Sequence, residues 1–181
     1  TAGTALATIA ASSPAFSLRP SDGWLTSFPA ELKVTYDLMN KVAFLLNQGA
    51  NVGGTAIPLV GGYAGGPAET ALVSTAYILL GRLVFQADYH LNGRMDMMKG
   101  CGSTRGALWA AAAAAQAVSR NTREPVLYLS YITAGPMTKQ YFYEAAACIA
   151  ALVTSGSSIQ SPHPCKAIHR DHMTPMEGLA T

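Results

Sequence analysis

Charged side chains are scarce in this sequence. Only 12% of the 181 residues are Asp, Glu, Lys or Arg, the net charge is +2, and no run of basic residues occurs. Proteins that bind nucleic acid or anionic membranes through charge carry basic patches, so neither partner is expected. Half of the residues are apolar. This predicts a chain whose surface is largely covered, either within a thick fold or by partner subunits in a homo-oligomer.

Cysteines and long apolar runs are also few. Cys101, Cys148 and Cys165 are scattered, and no secretory segment stands in front of them. The sequence therefore favours a reducing compartment, the cytoplasm. The longest apolar stretch, Ala107 to Val118, is bounded by an arginine on either side and is too short to cross a bilayer. We predict no membrane span.

The two ends of the sequence bear on domain organisation. The chain begins at Thr1 without a methionine, and Thr174, Pro175 and Glu177 have the order of a helix cap, a first-turn proline and a capping-box glutamate. A helix is thus predicted to begin only a few residues before Thr181. We expect residues 1–181 to be a single domain and a fragment of a longer chain.

Segments with helical spacing of apolar residues alternate with short strand-like runs. Helices are predicted over about 32–46, from Pro67 to 83, after Ser103 or Thr104, and from Thr138 to 152. Strands are predicted in the runs TAIPLVGG, DYHLNGRMDMM, EPVLYLSYIT and SSIQ. This alternation implies parallel strands covered by helices. The chain is then either the later half of an eight-unit barrel or an open doubly wound sheet, and both place their chemistry at the carboxyl ends of the strands.

The run GGYAGGP lies at one of these strand ends, directly before a helix. Its members before the proline are Gly61, Gly62, Tyr63, Ala64, Gly65 and Gly66. Glycines permit left-handed backbone angles and close approach to a ligand, and the helix start offers amide groups to an anion. The run matches neither the dinucleotide-binding motif nor the P-loop. A tight structural turn is therefore the favoured interpretation, and a ligand-facing loop is the alternative.

A second candidate is a cluster with the side-chain types that zinc prefers. It consists of His163, Cys165, His169 and His172. The spacing lacks the paired arrangement of known zinc motifs, so a polar loop is the favoured interpretation. Cys148 lies on a helical apolar stripe and is expected to be an inert core thiol. His90 and Asp96 form either an acid–base pair or structural hydrogen bonds.

Several blocks of the sequence resemble, in order, those of the archaeal monomethylamine methyltransferases. They are AELK from Ala30, PLVGGYAGGPAET from Pro58, HLNG from His90, GSTR from Gly102, TAGPMT from Thr133 and ME from Met176. The resemblance covers about residues 30 to 177. It implies an α/β fold of the (β/α)8 TIM-barrel type, of which this chain supplies roughly the C-terminal half.

The resemblance also implies a function. Members of the family transfer a methyl group from a methylamine to the Co(I) of a corrinoid carried by a cognate partner protein. The amine is held by a pyrrolysine, which in this alignment lies before Thr1, outside the chain. Tyr131 matches a tyrosine that lines the family's site and is assigned a catalytic, substrate-contacting role. The loops expected to face substrate or corrinoid contain Gly61, Gly62, Tyr63, Ala64, Gly65, Gly66, His90, Ser103, Thr104, Arg105 and Gly135.

Three positions depart from the family's pattern. Leu25 and Ala56 correspond to glutamates, and Leu129 corresponds to a glutamine, all of which contact the pyrrolysine adduct in the family. A barrel with a different methyl donor or a different activating residue is one explanation of these departures. A non-catalytic barrel subunit or scaffold of a larger complex is a second alternative. A methyltransferase assisted by zinc at the cluster around Cys165 is a third.

Overall fold

A computed structural model describes residues 4–13, 19–28, 32–160, 162–164 and 174–179. Its strands are β1 (Gly23–Ser27), β2 (Asn51–Ala56), β3 (Leu59–Val60), β4 (Tyr89–Asn92), β5 (Met95–Asp96), β6 (Val126–Tyr128) and β7 (Ser158–Ile159). Within the described ranges, five of them form one parallel sheet in the order β1-β2-β4-β6-β7, and β3 pairs with β5 in a second, smaller parallel sheet.

The helices are α1 (Ala5–Ala11), α2 (Tyr36–Asn47), α3 (Pro67–Phe85), α4 (Arg105–Asn121), α5 (Lys139–Val153) and α6 (Pro175–Leu179). A threonine hydroxyl accepts a first-turn amide at the start of four of them, namely Thr4, Thr35, Thr104 and Thr138. Such caps satisfy amide groups that have no partner inside the helix. Helix α3 begins instead with Pro67, whose ring is already set for a helix start.

The strand order decides between the two architectures that the sequence left open. A doubly wound sheet reverses its strand order at a switch point. In the large sheet, each strand lies beside the strand that precedes it in the chain order of that sheet, with no reversal. Helices α2, α3, α4 and α5 connect successive strands of the sheet. This is the arrangement of a β/α barrel, so the doubly wound alternative is wrong.

Alternate residues of each strand face opposite sides of the sheet. One side packs against the helices, where Ala56 joins Phe28 and Tyr77 in one apolar cluster and Tyr128 joins Ile78 in another. We call the opposite side the lumen face. Its members, as the strand register gives them, include Leu25, Gly53, Tyr89 and Leu127. Side chains at the carboxyl ends of the lumen face line the mouth of the barrel.

Several strands differ from their predicted extents, and β1 was not predicted. The run TAIPLVGG contains the end of β2, which already begins at Asn51, and the whole of β3, because Pro58 has no N–H group to donate to a sheet and lies between them. The run EPVLYLSYIT is a regular strand only from Val126 to Tyr128. Beyond that point, Tyr131 continues the pairing through an isolated parallel bridge to His163.

Helix α3 is long and apolar enough to cross a membrane by length and composition. Its charged residues are Glu69 in the first turn and Arg82 in the last turn. One face of the helix is buried, with Tyr77, Ile78 and Phe85 packed in the clusters under the sheet. The core helix of a barrel passes the same test of length and composition.

Candidate functional site

Tyr131 lies just past β6, at the mouth of the barrel. It is four residues after Leu127, so it stands on the lumen face by strand alternation. The parallel bridge sets it beside His163, and the two ring centroids are 5.7 Å apart with an interplanar angle of 32°. Burial raises the pKa of Tyr131 and lowers the pKa of His163. At neutral pH the pair is therefore uncharged, and it offers hydrogen-bonding groups without a net charge.

The end of β6 is held from the helix side by Arg94, which is fully buried. Its Nη1 donates to the carbonyl oxygen of Leu129 at 2.8 Å and to the hydroxyl of Ser130 at 3.0 Å. The guanidinium carbon lies 6.0 Å from the ring centroid of Tyr128. Among the described residues, no carboxylate lies within ion-pair distance of it. Arg94 thus fixes the backbone just before Tyr131 with a buried, uncompensated charge.

Cys148 is part of the same buried environment. It has no exposed surface, as the sequence analysis predicted, and its Sγ lies 3.9 Å from Nη2 of Arg94. Burial is the main influence on this thiol and raises its pKa, against the opposing effect of Arg94. A buried thiol that stays protonated is unreactive, so Cys148 has a packing role.

Glu144 joins two of the predicted loops at the rim. Its Oε2 accepts from the hydroxyl of Ser103 at 2.8 Å and from the amide of Thr133 at 2.9 Å. The loop after β5 and the loop after β6, which contains Gly135, therefore meet at this carboxylate. Sequence analysis placed Ser103 and Gly135 at the rim but missed Glu144, because it lies in the second turn of α5 and carries no motif.

Glu177 connects the loop after β6 to α6. The predicted capping box is confirmed, since the amide and the hydroxyl of Thr174 both donate to Oε2 of Glu177. Its Oε1 accepts from the amide of Met137 at 2.8 Å. The hydrogen bonds from Thr174 lower the pKa of this buried carboxyl most, and the Met137 amide adds to the effect. Glu177 thus stays ionised and ties α6 to the loop that follows Tyr131.

The glycine run forms a tight turn at the rim. The amide of Gly61 donates to the carbonyl of Gly65 at 2.6 Å, and both residues have left-handed backbone angles, with φ of 83° and 95°. Only glycine adopts such angles without strain. The carboxylate of Glu69 lies beside the start of α3, since Oε2 is 3.1 Å from where a Cβ of Gly66 would stand. This negative charge disfavours a bound anion there, so the structure favours the turn interpretation.

The other predicted rim residues differ in what surrounds them. Tyr63, at the tip of the glycine turn, is 81% exposed and free to contact a partner. Thr104 accepts from the amide of Ala107 as the cap of α4, and Arg105 is exposed at the first position of that helix. Thr104 therefore has a structural use whether or not a ligand lies nearby.

His90 does not lie at the mouth, so its prediction as a substrate- or corrinoid-facing residue is wrong. Its side chain is buried on the helix side of the sheet, where a Cβ on Gly81 would lie 2.9 Å from its ring. Nε2 is 3.4 Å from Oε2 of Glu124. Burial lowers the pKa of His90 more than Glu124 raises it. The proposed partner, Asp96, instead accepts from the amide of Lys99 in its own loop at 2.9 Å, so both residues have structural hydrogen bonds.

Of the three positions that depart from the family's pattern, two face the lumen. Leu25 is on the lumen face by the strand register, and Leu129, two residues after Leu127, is on the same face by strand alternation. Ala56 instead packs with Phe28 and Tyr77 on the helix side. Thr55, the neighbour of Ala56, faces the lumen, and both residues contribute to a cleft of about 200 Å³ at the ends of β1 and β2. The expectation that Ala56 removes a polar group from the site is therefore wrong.

The zinc cluster is only partly described. Cys165, His169 and His172 lie outside the described residues. Within the described ranges, no group of three His, Cys, Asp or Glu side chains is placed to hold a metal ion. The zinc interpretation therefore stays a prediction, while His163 is brought to Tyr131 instead.

Fold and site together define a β/α-barrel protein with a weakly charged, polar site at the mouth. The chain belongs to the monomethylamine methyltransferase MtmB family, whose model matches residues 1–180. It is 31% identical to monomethylamine methyltransferase MtmB1 of Methanosarcina barkeri over 148 residues, which are 81% of this chain and 32% of that protein. It is 30% identical to MtmB1 of Methanosarcina acetivorans over 158 residues, 87% of this chain and 34% of that protein.

Solved structures give the same result. The crystal structure of the Methanosarcina barkeri monomethylamine methyltransferase MtmB superposes with a TM-score of 0.88 at 28% identity, covering 99% of this chain and 39% of that chain. Its hydroxylamine complex gives a TM-score of 0.89. The resemblance and the TIM-barrel fold predicted from the sequence are thus confirmed. The chain spans about a third of the length of the curated relatives it matches.

Proposed function

We propose that this chain supplies the carboxyl-terminal part of a TIM-barrel methyltransferase, which moves a methyl group from a methylamine to the Co(I) corrinoid of a partner protein. The observation that carries the proposal is the placement of Tyr131 at the lumen-facing end of β6, with Arg94 fixing the strand behind it. Family membership supports the reaction class. A cytoplasmic homo-oligomer that binds neither nucleic acid nor membrane, with a pyrrolysine contributed from outside this chain, completes the proposal.

The chemistry asks the protein to orient a small amine and to keep water away from it. The corrinoid of the partner protein would supply the nucleophile for the methyl group, and the carbon–nitrogen electron pair would stay with the departing amine. An amine is a poor leaving group, so it must be cationic or covalently held when its methyl is attacked. Tyr131 and His163 offer an aromatic face and neutral hydrogen-bonding groups to such an amine. Orientation of the amine and electrostatic stabilisation of the transition state then accelerate the methyl transfer.

The rim fits a large flat macrocycle. The glycine turn and Gly135 present little side-chain volume there, and Tyr63 extends into solvent beside them. The loops after β5 and β6 are fixed to each other by Glu144. A rim with small side chains and fixed loops suits the docking of a corrinoid protein, because few groups must move when the two proteins associate.

The test uses the full-length protein, its cognate corrinoid protein in the Co(I) state and methylamine. Methyl transfer is followed by the change in cobalt absorbance. We expect Tyr131→Phe to slow transfer by roughly tenfold, about 1.4 kcal/mol. Tyr143→Phe is the matched control, since Tyr143 is 71% exposed on α5, and it should leave the rate unchanged. Absence of any cobalt spectral change with every methylated amine tried would contradict the proposal.

A non-catalytic barrel subunit is a second candidate, favoured by one observation. Leu25 and Leu129 give the lumen face apolar groups, at positions where the resemblance to the family implies polar ones. A purified complex with stable partners but no transfer activity would support this candidate. The zinc-assisted alternative depends on residues beyond the described ranges, and metal analysis of the purified protein tests it.

A further inference from the structure

The end of β7 brings a second pair of polar side chains to the lumen face. The register pairs Leu127 with Ser158 and Tyr128 with Ile159. Ile159 packs against the apolar cluster on the helix side, so the next residue, Gln160, faces the lumen. The amide of Gln160 donates to the carbonyl of Tyr128 at 2.9 Å, which continues the pairing. Gln160 therefore stands beside Leu129 in the barrel.

The amide oxygen of Gln160 lacks a partner. Its Oε1 is buried, and no hydrogen-bond donor reaches it within the part of the chain that the structure describes. A buried carbonyl without a donor costs about 1–3 kcal/mol, so native proteins seldom keep one unless a ligand or water supplies the bond. The position of Oε1 next to the lumen is suited to a hydrogen bond from a bound donor group.

His163 lies further along the same edge of the mouth. It faces the lumen beside Tyr131, with which it forms the bridge and the ring contact described above. In the neutral imidazole, one ring nitrogen carries a lone pair that accepts a hydrogen bond. Strands β1, β2, β4, β6 and β7 contain no carboxylate at any position.

We infer that Gln160 and His163 are specificity-determining residues that bind the nitrogen of a small primary ammonium ion through two neutral acceptors. This inference rests on the proposed function for its ligand. The N–H groups of the ion would donate to Oε1 of Gln160 and to a ring nitrogen of His163, and the ring of Tyr131 would offer a cation–π contact. Neutral acceptors bind a primary ammonium ion better than a quaternary one, because a fully methylated nitrogen has no N–H group to donate.

The experiment titrates the full-length protein with methylammonium chloride and, separately, with tetramethylammonium chloride, by isothermal calorimetry. Gln160→Leu and His163→Phe are each expected to weaken methylammonium binding by roughly tenfold or more. His163→Gln keeps an acceptor and should retain part of the affinity. Gln48→Leu is the matched control, because Gln48 is exposed at the C-cap of α2, away from β7. Gln160→Leu removes an unpaired buried carbonyl and should raise the unfolding temperature of the ligand-free protein, while the affinity for the corrinoid protein should stay unchanged in all variants.

Two results would overturn the inference. One is wild-type affinity for methylammonium in both Gln160→Leu and His163→Phe, and the other is equal affinity of the wild-type protein for methylammonium and tetramethylammonium. Methyl transfer by the wild-type protein in the same preparation separates the two proposals. If transfer persists while the variants bind normally, only this inference fails, whereas loss of both binding and transfer in the wild type refutes the proposed function as well.

Discussion

Substituting Arg94 by lysine and by methionine separates the charge of this side chain from its volume. Lysine keeps the charge but lacks the fork that reaches both the carbonyl of Leu129 and the hydroxyl of Ser130. Methionine keeps much of the length and removes the charge. No carboxylate among the described residues compensates the charge of Arg94. Methionine therefore removes the electrostatic cost of burying a cation, whereas lysine keeps that cost.

The magnitudes follow from the contacts. Hydrogen bonds from a charged donor contribute about 1.5–3 kcal/mol each. Arg94→Lys keeps at most one of them and leaves a buried ammonium poorly solvated, so we expect a loss of about 3–5 kcal/mol in unfolding free energy. Arg94→Met loses both bonds but also relieves the desolvation of a cation, so we expect a smaller loss of about 1–3 kcal/mol. Methionine should therefore be the better-tolerated replacement.

The assay is urea unfolding of each variant, combined with amide hydrogen exchange over residues 126–135. Both variants should increase exchange near Ser130 and Tyr131, because the carbonyl and the hydroxyl that Arg94 holds are released. The reasoning is refuted if Arg94→Lys is as stable as the wild type, or if it is more stable than Arg94→Met. Ser130→Ala serves as a control that removes one of the two bonds while the guanidinium stays in place.

Three further predictions concern packing, the rim and pH. Gly53→Ala should lower the unfolding free energy by about 1–3 kcal/mol, because the added Cβ would lie 2.5 Å from the Tyr89 ring. In a double-mutant cycle, the same substitution in a Tyr89→Ala background should not lower it. Glu144→Ala should lower the unfolding free energy by about 1 kcal/mol and speed hydrogen exchange at the Thr133 amide, because that amide loses its acceptor. Unchanged exchange would show that Glu144 does not hold the loop after β6. Burial lowers the pKa of His90 in the folded state. As the pH falls below 6.5, the unfolded chain therefore binds a proton before the folded chain does, so the unfolding free energy should decline. His90→Gln should lessen this decline in calorimetric scans.

Periodicity and caps predicted most of the helices, and the reason lies in local chemistry. Thr138 and Pro67 mark helix starts that depend on a few neighbouring residues, so the sequence alone reveals them. Strands β3 to β7 lie inside predicted runs that are longer than the strands, whereas β1 was not predicted and most of β2 lies before its predicted run. Strand ends depend on which neighbour provides hydrogen bonds, and a single sequence does not show that neighbour. Pro58 indicates locally that a strand ends before it, because proline has no N–H group for a sheet. The predicted run TAIPLVGG nevertheless continued through this residue.

The site was harder to predict because its parts come from different elements. Tyr131 was identified through resemblance, and the structure adds His163 as its neighbour. Arg94 and Glu144 carry no motif, and only the fold shows what they hold. His90 was misassigned because its sequence block ends near the rim, whereas strand alternation directs its side chain towards α3.

The ring of Tyr89 lies across two neighbouring strands where Gly23 and Gly53 have no side chains, and its atoms come within 2.9 Å of where either Cβ would stand. One aromatic side chain thereby fills the space that two glycines leave at the amino ends of β1 and β2. Substitutions at the opening, at the other ends of the strands, leave this contact between Tyr89 and the two glycines unchanged.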